Sequence, residues 1–176
     1  MTTSRLLLAP GASGGPERLR PIVSALEARG VAAGVVTLPR GKAERAVPAY
    51  RTALDGEGAG IAIGGHSFGG RVASLLAAET EAADPPAALV LLSYPLHAPG
   101  RHAAWDARTS HWPAIRCPVL LLSGEADPFA RIDLLRTAAG RLEDARLRTW
   151  PRLGHGIGPV LDEAVEEIIG FLAGRT

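Results

Sequence analysis

The chain has one cysteine, one methionine and one lysine in 176 residues, and each scarcity removes a class of explanation. Cys117 alone closes no internal disulfide, which excludes the stapled framework of a small secreted protein and makes a reducing compartment the expected home. Lys42 has no tyrosine placed to partner it, so the tyrosine–lysine pair of a short-chain dehydrogenase is missing. Excess charge is missing too. Nineteen basic residues against 18 acidic leave a net charge of +1, which implies no general attraction to nucleic acid or to an anionic membrane. No stretch approaches the ~18 uninterrupted apolar residues of a membrane span, and the first apolar run, Leu6 to Ala9, is too short for a signal peptide. The expectation is a soluble cytoplasmic protein, monomer or homodimer, whose partner is a small-molecule substrate.

Apolar residues make up 47% of the sequence, enough for a proper core, and residues 1–176 are expected to form one domain. Strand-like runs recur at Leu6 to Ala9, Val31 to Leu38, Gly60 to Gly64, Ala88 to Leu92, Val119 to Leu122 and Arg146 to Thr149. Most are continuously apolar, as strands covered on both faces are. Between them lie helical patterns: Leu19, Ile22, Val23 and Leu26 on one face before Gly30; Ala43 to Leu54; Gly70 to about Ala82; Ile132 to Leu142; and Val160 to Leu172. Residues 81–86 read as a loop. This alternation predicts an α/β fold, a three-layer α/β/α sandwich around a mostly parallel sheet of about six strands.

The stretch 93–118 has no clean period. It holds three histidines, two tryptophans and several prolines, and a structureless connection of that length is expected to serve as a lid over a site.

The most informative motif is Gly65-His66-Ser67-Phe68-Gly69-Gly70, which follows the apolar Ile61-Ala62-Ile63 and precedes an amphipathic stretch from Val72. Ser67 therefore sits where a strand turns sharply into a helix. Such a turn strains the serine backbone and packs strand on helix so closely that glycine is needed on both sides. The strain lifts the hydroxyl clear of the sheet, where a base and an electrophile can both reach it. A hydroxyl is a poor nucleophile without an imidazole to take its proton.

His155, in Leu153-Gly154-His155-Gly156 after the sixth strand, is the expected base. Asp127, in Ser123-Gly124-Glu125-Ala126-Asp127-Pro128 after the fifth, is the expected acid, with Glu125 its rival. A carboxylate there would fix the imidazole tautomer. His66 is expected to point away from the nucleophile, and His97, His102 and His111 all precede the acid. The order Ser, Asp, His differs from the chymotrypsin-like and subtilisin-like orders.

Two backbone amides are expected to stabilise an oxyanion: Phe68 at the helix start, where the helix dipole assists, and Ala12 in the loop after the first strand, with Gly11 allowing close approach. The competing reading of that loop, a dinucleotide turn Gly11-x-x-Gly14, lacks an acidic residue after the second strand, which ends Thr37-Leu38-Pro39-Arg40. No cofactor is expected. No metal is expected either, because His97, His102 and His111 have neither helix-pair nor zinc-motif spacing. Tyr94, His97, Trp105, Trp112 and Phe129 are the candidates for a substrate pocket.

Together these residues resemble the α/β-hydrolase superfamily over nearly the whole chain. More narrowly, Gly65 to Arg71, Leu92-Ser93-Tyr94-Pro95-Leu96-His97 and Gly124 to Phe129 resemble the small KANL/Tex-type hydrolase-like family, related to dienelactone hydrolases. The resemblance implies a compact six-stranded core without a large cap, and triad roles for Ser67, Asp127 and His155. The expected activity is a serine hydrolase of small carboxylic esters, thioesters or lactones. The alternative is a non-catalytic binding or scaffold protein using Tyr94 to Trp112 as its contact surface.

Overall fold

Successive side chains of a strand leave for opposite faces, and in this chain both directions are apolar. In the computed structural model, which describes residues 5–57, 60–79 and 85–174, Leu6 and Leu8 enter one core while Leu7 and Ala9 enter another. These residues belong to β1, Arg5–Ala9. The same division holds along β3 (Ile61–His66), β4 (Ala88–Leu92) and β5 (Val119–Gly124). With β2 (Ala33–Val35) and β6 (Ala145–Trp150) they form a six-stranded sheet, wholly parallel, in the order β2-β1-β3-β4-β5-β6.

Helices cover both faces. A 3₁₀ turn, Pro16–Leu19, runs into α1 (Arg20–Glu27), which shares one core with α6 (Leu161–Ala173). The other core takes α2 (Ala43–Leu54), α3 (Phe68–Ala77) and α5 (Ile132–Ala139). This is the expected three-layer α/β/α architecture. Chain order reverses between β1 and β3: the chain leaves β1 outward for β2, then crosses back to β3. At such a switch point two loops diverge above the strand ends and leave a crevice. The loop after β1 and the turn after β3, which carries Ser67, both open there.

Several boundaries differ from the sequence expectation. β2 spans three residues, much less than Val31 to Leu38, and α3 starts at Phe68 and ends at Ala77, short of Ala82. Residue 82 itself and most of the predicted loop 81–86 lie outside the described residues, as does the segment before Arg5. α2 keeps its predicted bounds although Pro48 lies inside it. An interior proline costs about 3 kcal/mol, and the buried face of Ala43, Ala46, Val47 and Tyr50 offsets it. Among the described residues no helix is long and apolar enough to cross a membrane.

The segment 93–118 is not structureless. It folds into a 3₁₀ turn (His102–Ala104), a helical turn α4 (Trp105–Arg108) and a second 3₁₀ turn (Trp112–Ala114). Leu96, Trp112 and Ile115 are fully buried in the core beneath α2, α3 and α5. Arg108 donates to Pro95 O at 3.0 Å, and Arg141 donates to Thr109 Oγ1 at 3.0 Å and to the Asp106 carboxylate. Apolar burial therefore ties this stretch to the flank of the sheet.

Tyr50 pins α2 to the sheet. Its hydroxyl lies 2.8 Å from both Leu7 O and Gly64 O and accepts the Gly64 N–H at 3.0 Å, all fully buried, and burial pushes its titration upward. Tyr50→Phe would remove the buried hydroxyl that serves Leu7 O, Gly64 O and the Gly64 N–H. The expected loss is about 1–3 kcal/mol of stability, read as a lower urea midpoint with an unchanged m value.

Candidate active site

The turn at Ser67 has the geometry its flanking glycines imply. Ser67 adopts φ 50° and ψ −113°, a left-handed conformation rare for a residue with a side chain. A Cβ at Gly69 would lie 2.1 Å from Ala9 O, and one at Gly65 would lie 2.5 Å from the same oxygen, so the first turn of α3 rests directly on the end of β1. The Ser67 N–H donates to Leu92 O at 2.9 Å, tying the turn to β4 as well.

Asp127 and His155 reach Ser67 from the loops after β5 and β6. Ser67 Oγ lies 2.9 Å from His155 Nε2, and His155 Nδ1 lies 2.8 Å from Asp127 Oδ2. The Asp127 side chain is fully buried, and its other oxygen accepts the Phe129 N–H at 2.8 Å, so its orientation is fixed at both oxygens. Because a carboxylate only accepts, Nδ1 carries the imidazole hydrogen and Nε2 is left as the acceptor for the serine O–H. Glu125, the rival acid, is turned elsewhere: it accepts from Thr149 Oγ1 at 2.7 Å and lies 3.6 Å from Arg136. Gly124 makes the arrangement possible, since a Cβ there would lie 2.0 Å from Leu153 O, and the loops bearing Asp127 and His155 touch at that point.

The His155 ring is packed between two others. Phe129 lies at 4.6 Å between centroids and His66 at 5.1 Å. His66 was expected to point away from the nucleophile; it lies instead beside the catalytic candidate, because the strained turn sends the side chains of residues 66 and 67 to adjacent places under the same loop. Its Nδ1 is 3.0 Å from where a Cβ on Gly11 would sit, and its Nε2 is buried without a partner. Burial, and secondarily the neighbouring His155, lower its pKa to about 4. The sequence signal that could have marked it is its place directly before the serine.

The two amides expected to serve an oxyanion both border the turn. Phe68 is the first residue of α3, so its N–H has no acceptor within the helix. Neither its amide nor that of Ala12 donates to an acceptor among the described residues. Gly11 holds the Ala12 loop against the serine: a Cβ there would meet Ser67 Cβ at 3.6 Å.

Two cavities flank this loop. The larger, about 520 Å³, is bounded by α1, the start of α6, His66 and His155; the smaller, about 200 Å³, is bounded by Ala12, Phe68 and residues 37–40 after β2. Of the five expected pocket residues, none lines either cavity. Tyr94 and Trp112 are buried against each other, edge to face at 5.0 Å. His97 is buried with Nε2 accepting the Arg131 N–H at 3.1 Å, and Trp105 lies under the Arg141 guanidinium at 4.4 Å. Only Phe129 touches the site, through His155. Within 93–118, Tyr94 and Trp112 are buried in the core and Trp105 packs against it half-buried.

His111 resembles His66 in one respect. Burial, and then Arg71, lower its pKa to about 4, while its Nε2 lies 2.9 Å from Ser74 Oγ. Both folded-state values lie below the ordinary 6.5, so between those limits the unfolded chain binds protons that the folded chain refuses. Stability is full above about pH 6.5 and falls as pH drops toward 4, by up to about 1.4 kcal/mol per pH unit for each histidine. Thermal melts from pH 7 to pH 4.5 are expected to show this decline, and His111→Gln is expected to flatten it.

Residues 39–157 match the family model described as an alpha/beta hydrolase domain, a span that includes Ser67, Asp127 and His155. Among solved structures, the fold is similar to a monoacylglycerol lipase from Paleococcus ferrophilus, at TM-score 0.81 and 16% identity over 97% of this chain and 94% of that one. It is also similar to Est1E from Butyrivibrio proteoclasticus, at TM-score 0.77 and 16% identity over 99% and 90%. A thermophilic esterase from Thermogutta terrifontis matches at TM-score 0.74 and 16% identity over 96% and 90%. With the family model covering well over half of the sequence, the chain belongs to the alpha/beta hydrolases.

Proposed function

We propose that this chain is a serine hydrolase that cleaves a small carboxylic ester, thioester or lactone through an acyl-Ser67 intermediate. The observation that carries the reading is the unbroken hydrogen-bonded line from Ser67 Oγ to His155 Nε2 and from His155 Nδ1 to the buried Asp127. That structural neighbours include a lipase and an esterase agrees with it.

As Ser67 Oγ attacks the carbonyl carbon, its proton passes to His155 Nε2, and the carbonyl π pair moves onto oxygen. The Phe68 and Ala12 amides receive that oxyanion; one such donor contributes roughly 3 to 4 kcal/mol in comparable sites. The tetrahedral intermediate collapses, the bond to the leaving oxygen or sulfur breaks, and the proton on Nε2 goes to the leaving group. Water repeats the sequence on the acyl-serine, giving its proton to Nε2 and its oxygen to the released acid, and Oγ regains a proton. Asp127 keeps the imidazole in the tautomer that can accept at Nε2 and stabilises the transient imidazolium.

A fluorophosphonate probe is expected to label the protein and to leave Ser67→Ala unlabelled. Asp127→Asn is expected to lower kcat on p-nitrophenyl acetate by about 10⁴, the size seen when the orienting acid of a comparable triad is neutralised. Labelling that persists in Ser67→Ala would place the nucleophile elsewhere.

A further inference from the structure

Two cavities of unequal size meet at Gly11, and each contains a different half of the proposed machinery. His155 lines the cavity of about 520 Å³, whose apolar wall is made by Leu19, Ile22, Leu92, Ile157 and Leu161. Ala12 and Phe68 line the one of about 200 Å³, closed on its far side by Thr37, Leu38 and Arg40. Gly11 belongs to both and lies against Ser67.

We infer that the enzyme is selective for esters of a short acid with a bulky, apolar alcohol or thiol, the leaving group lying in the larger cavity between α1 and α6 and the acyl group in the smaller one. The inference rests on the hydrolase reading above and deepens it. The leaving atom takes its proton from His155 Nε2 and must come within hydrogen-bond reach of it, so the rest of the leaving group continues along the wall that His155 forms. The carbonyl oxygen must come within similar reach of the Ala12 and Phe68 amides. The acyl chain hangs from that same carbon and occupies the space those amides border.

Volume then sets the selectivity. At about 30 Å³ per water-sized group, roughly seven groups would fill the smaller cavity and roughly seventeen the larger. Ligands occupy only part of such space, so the smaller cavity suits an acyl chain of a few carbons. The larger cavity accepts an aromatic ring on a linker, and its leucine and isoleucine walls favour a hydrocarbon there.

Two isomers test this directly, because they exchange the same methyl and phenylbutyl groups across one ester: 4-phenylbutyl acetate and methyl 5-phenylpentanoate. The acetate is expected to have the higher kcat/KM by about tenfold or more, within the range that apolar pocket fit commonly provides. Leu161→Trp, which fills the larger cavity, is expected to narrow that ratio; Leu38→Ala, which widens the smaller one, is expected to narrow it by raising turnover of the pentanoate. Gly158→Phe gives a second way to fill the larger cavity if Leu161→Trp does not fold, since a Cβ at Gly158 meets nothing within 4 Å. Equal turnover of the two isomers, or preference for the pentanoate, would overturn the assignment while leaving the hydrolase reading in place. A protein that cleaves neither isomer nor p-nitrophenyl acetate, and takes no fluorophosphonate, would overturn both.

Discussion

The contact between the first turn of α3 and the last carbonyl of β1 sets the position of everything else in the site. Ala9 O lies so close to Gly65 and Gly69 that neither position can carry a Cβ without moving the strand. That closeness bends the chain at Ser67 into a left-handed conformation, which costs of order 1–3 kcal/mol for a residue with a side chain. The bend persists because it is held on three sides: β1 beneath it, the Leu92 carbonyl accepting the Ser67 N–H, and α3 continuing from it. A looser turn would let the serine relax, and the hydroxyl would then lie away from the imidazole.

A second close approach completes the site from the other side of the sheet. The end of β5 and the loop after β6 touch at Gly124 and Leu153, and the Ala126 N–H donates to Leu153 O at 3.0 Å. This backbone bond aligns the Asp127 and His155 loops before any side chain is considered. The His155–Asp127 hydrogen bond therefore forms between two segments already held in register. The switch point between β1 and β3 supplies the open space in front of them, so one topological feature and two glycine contacts account for where the site lies.

Much of this was legible in the sequence because the strands are buried on both faces. Continuous apolar runs such as Leu6 to Ala9 and Ala88 to Leu92 stand out against amphipathic helices, and Ser67 and Asp127 each follow such a run, whereas His155 follows β6, where Arg146 and Arg148 interrupt the apolar pattern. The residues between 93 and 118 were not legible in that way. Their aromatic side chains enter the core from irregular backbone, and irregular backbone has no period to betray which face is buried. Trp112 and Tyr94 therefore stand among the pocket candidates, with core as the competing reading, and the structure buries both. β2 was overestimated for the opposite reason: its apolar run continues past the three residues that pair with β1, and apolarity alone does not say where pairing stops. The place of His66 depends on the strained turn itself, which local pattern cannot convey.

The neighbour that sequence reasoning misplaced also bears on the electrostatics of His155. A positive charge that His155 takes on during proton transfer would meet the His66 ring at 5.1 Å. Were His66 protonated near neutral pH, the two cations would repel and the proton would be harder to hold on His155. Burial prevents this by holding the His66 pKa at about 4, so the ring beside His155 stays neutral where the reaction would run, while the Asp127 carboxylate contacts the imidazole at its other nitrogen, Nδ1. The same burial makes the fold less tolerant of acid, because the unfolded chain takes up the proton that the folded chain refuses. One placement thus links the electrostatics of the site to the pH range over which the protein stays folded.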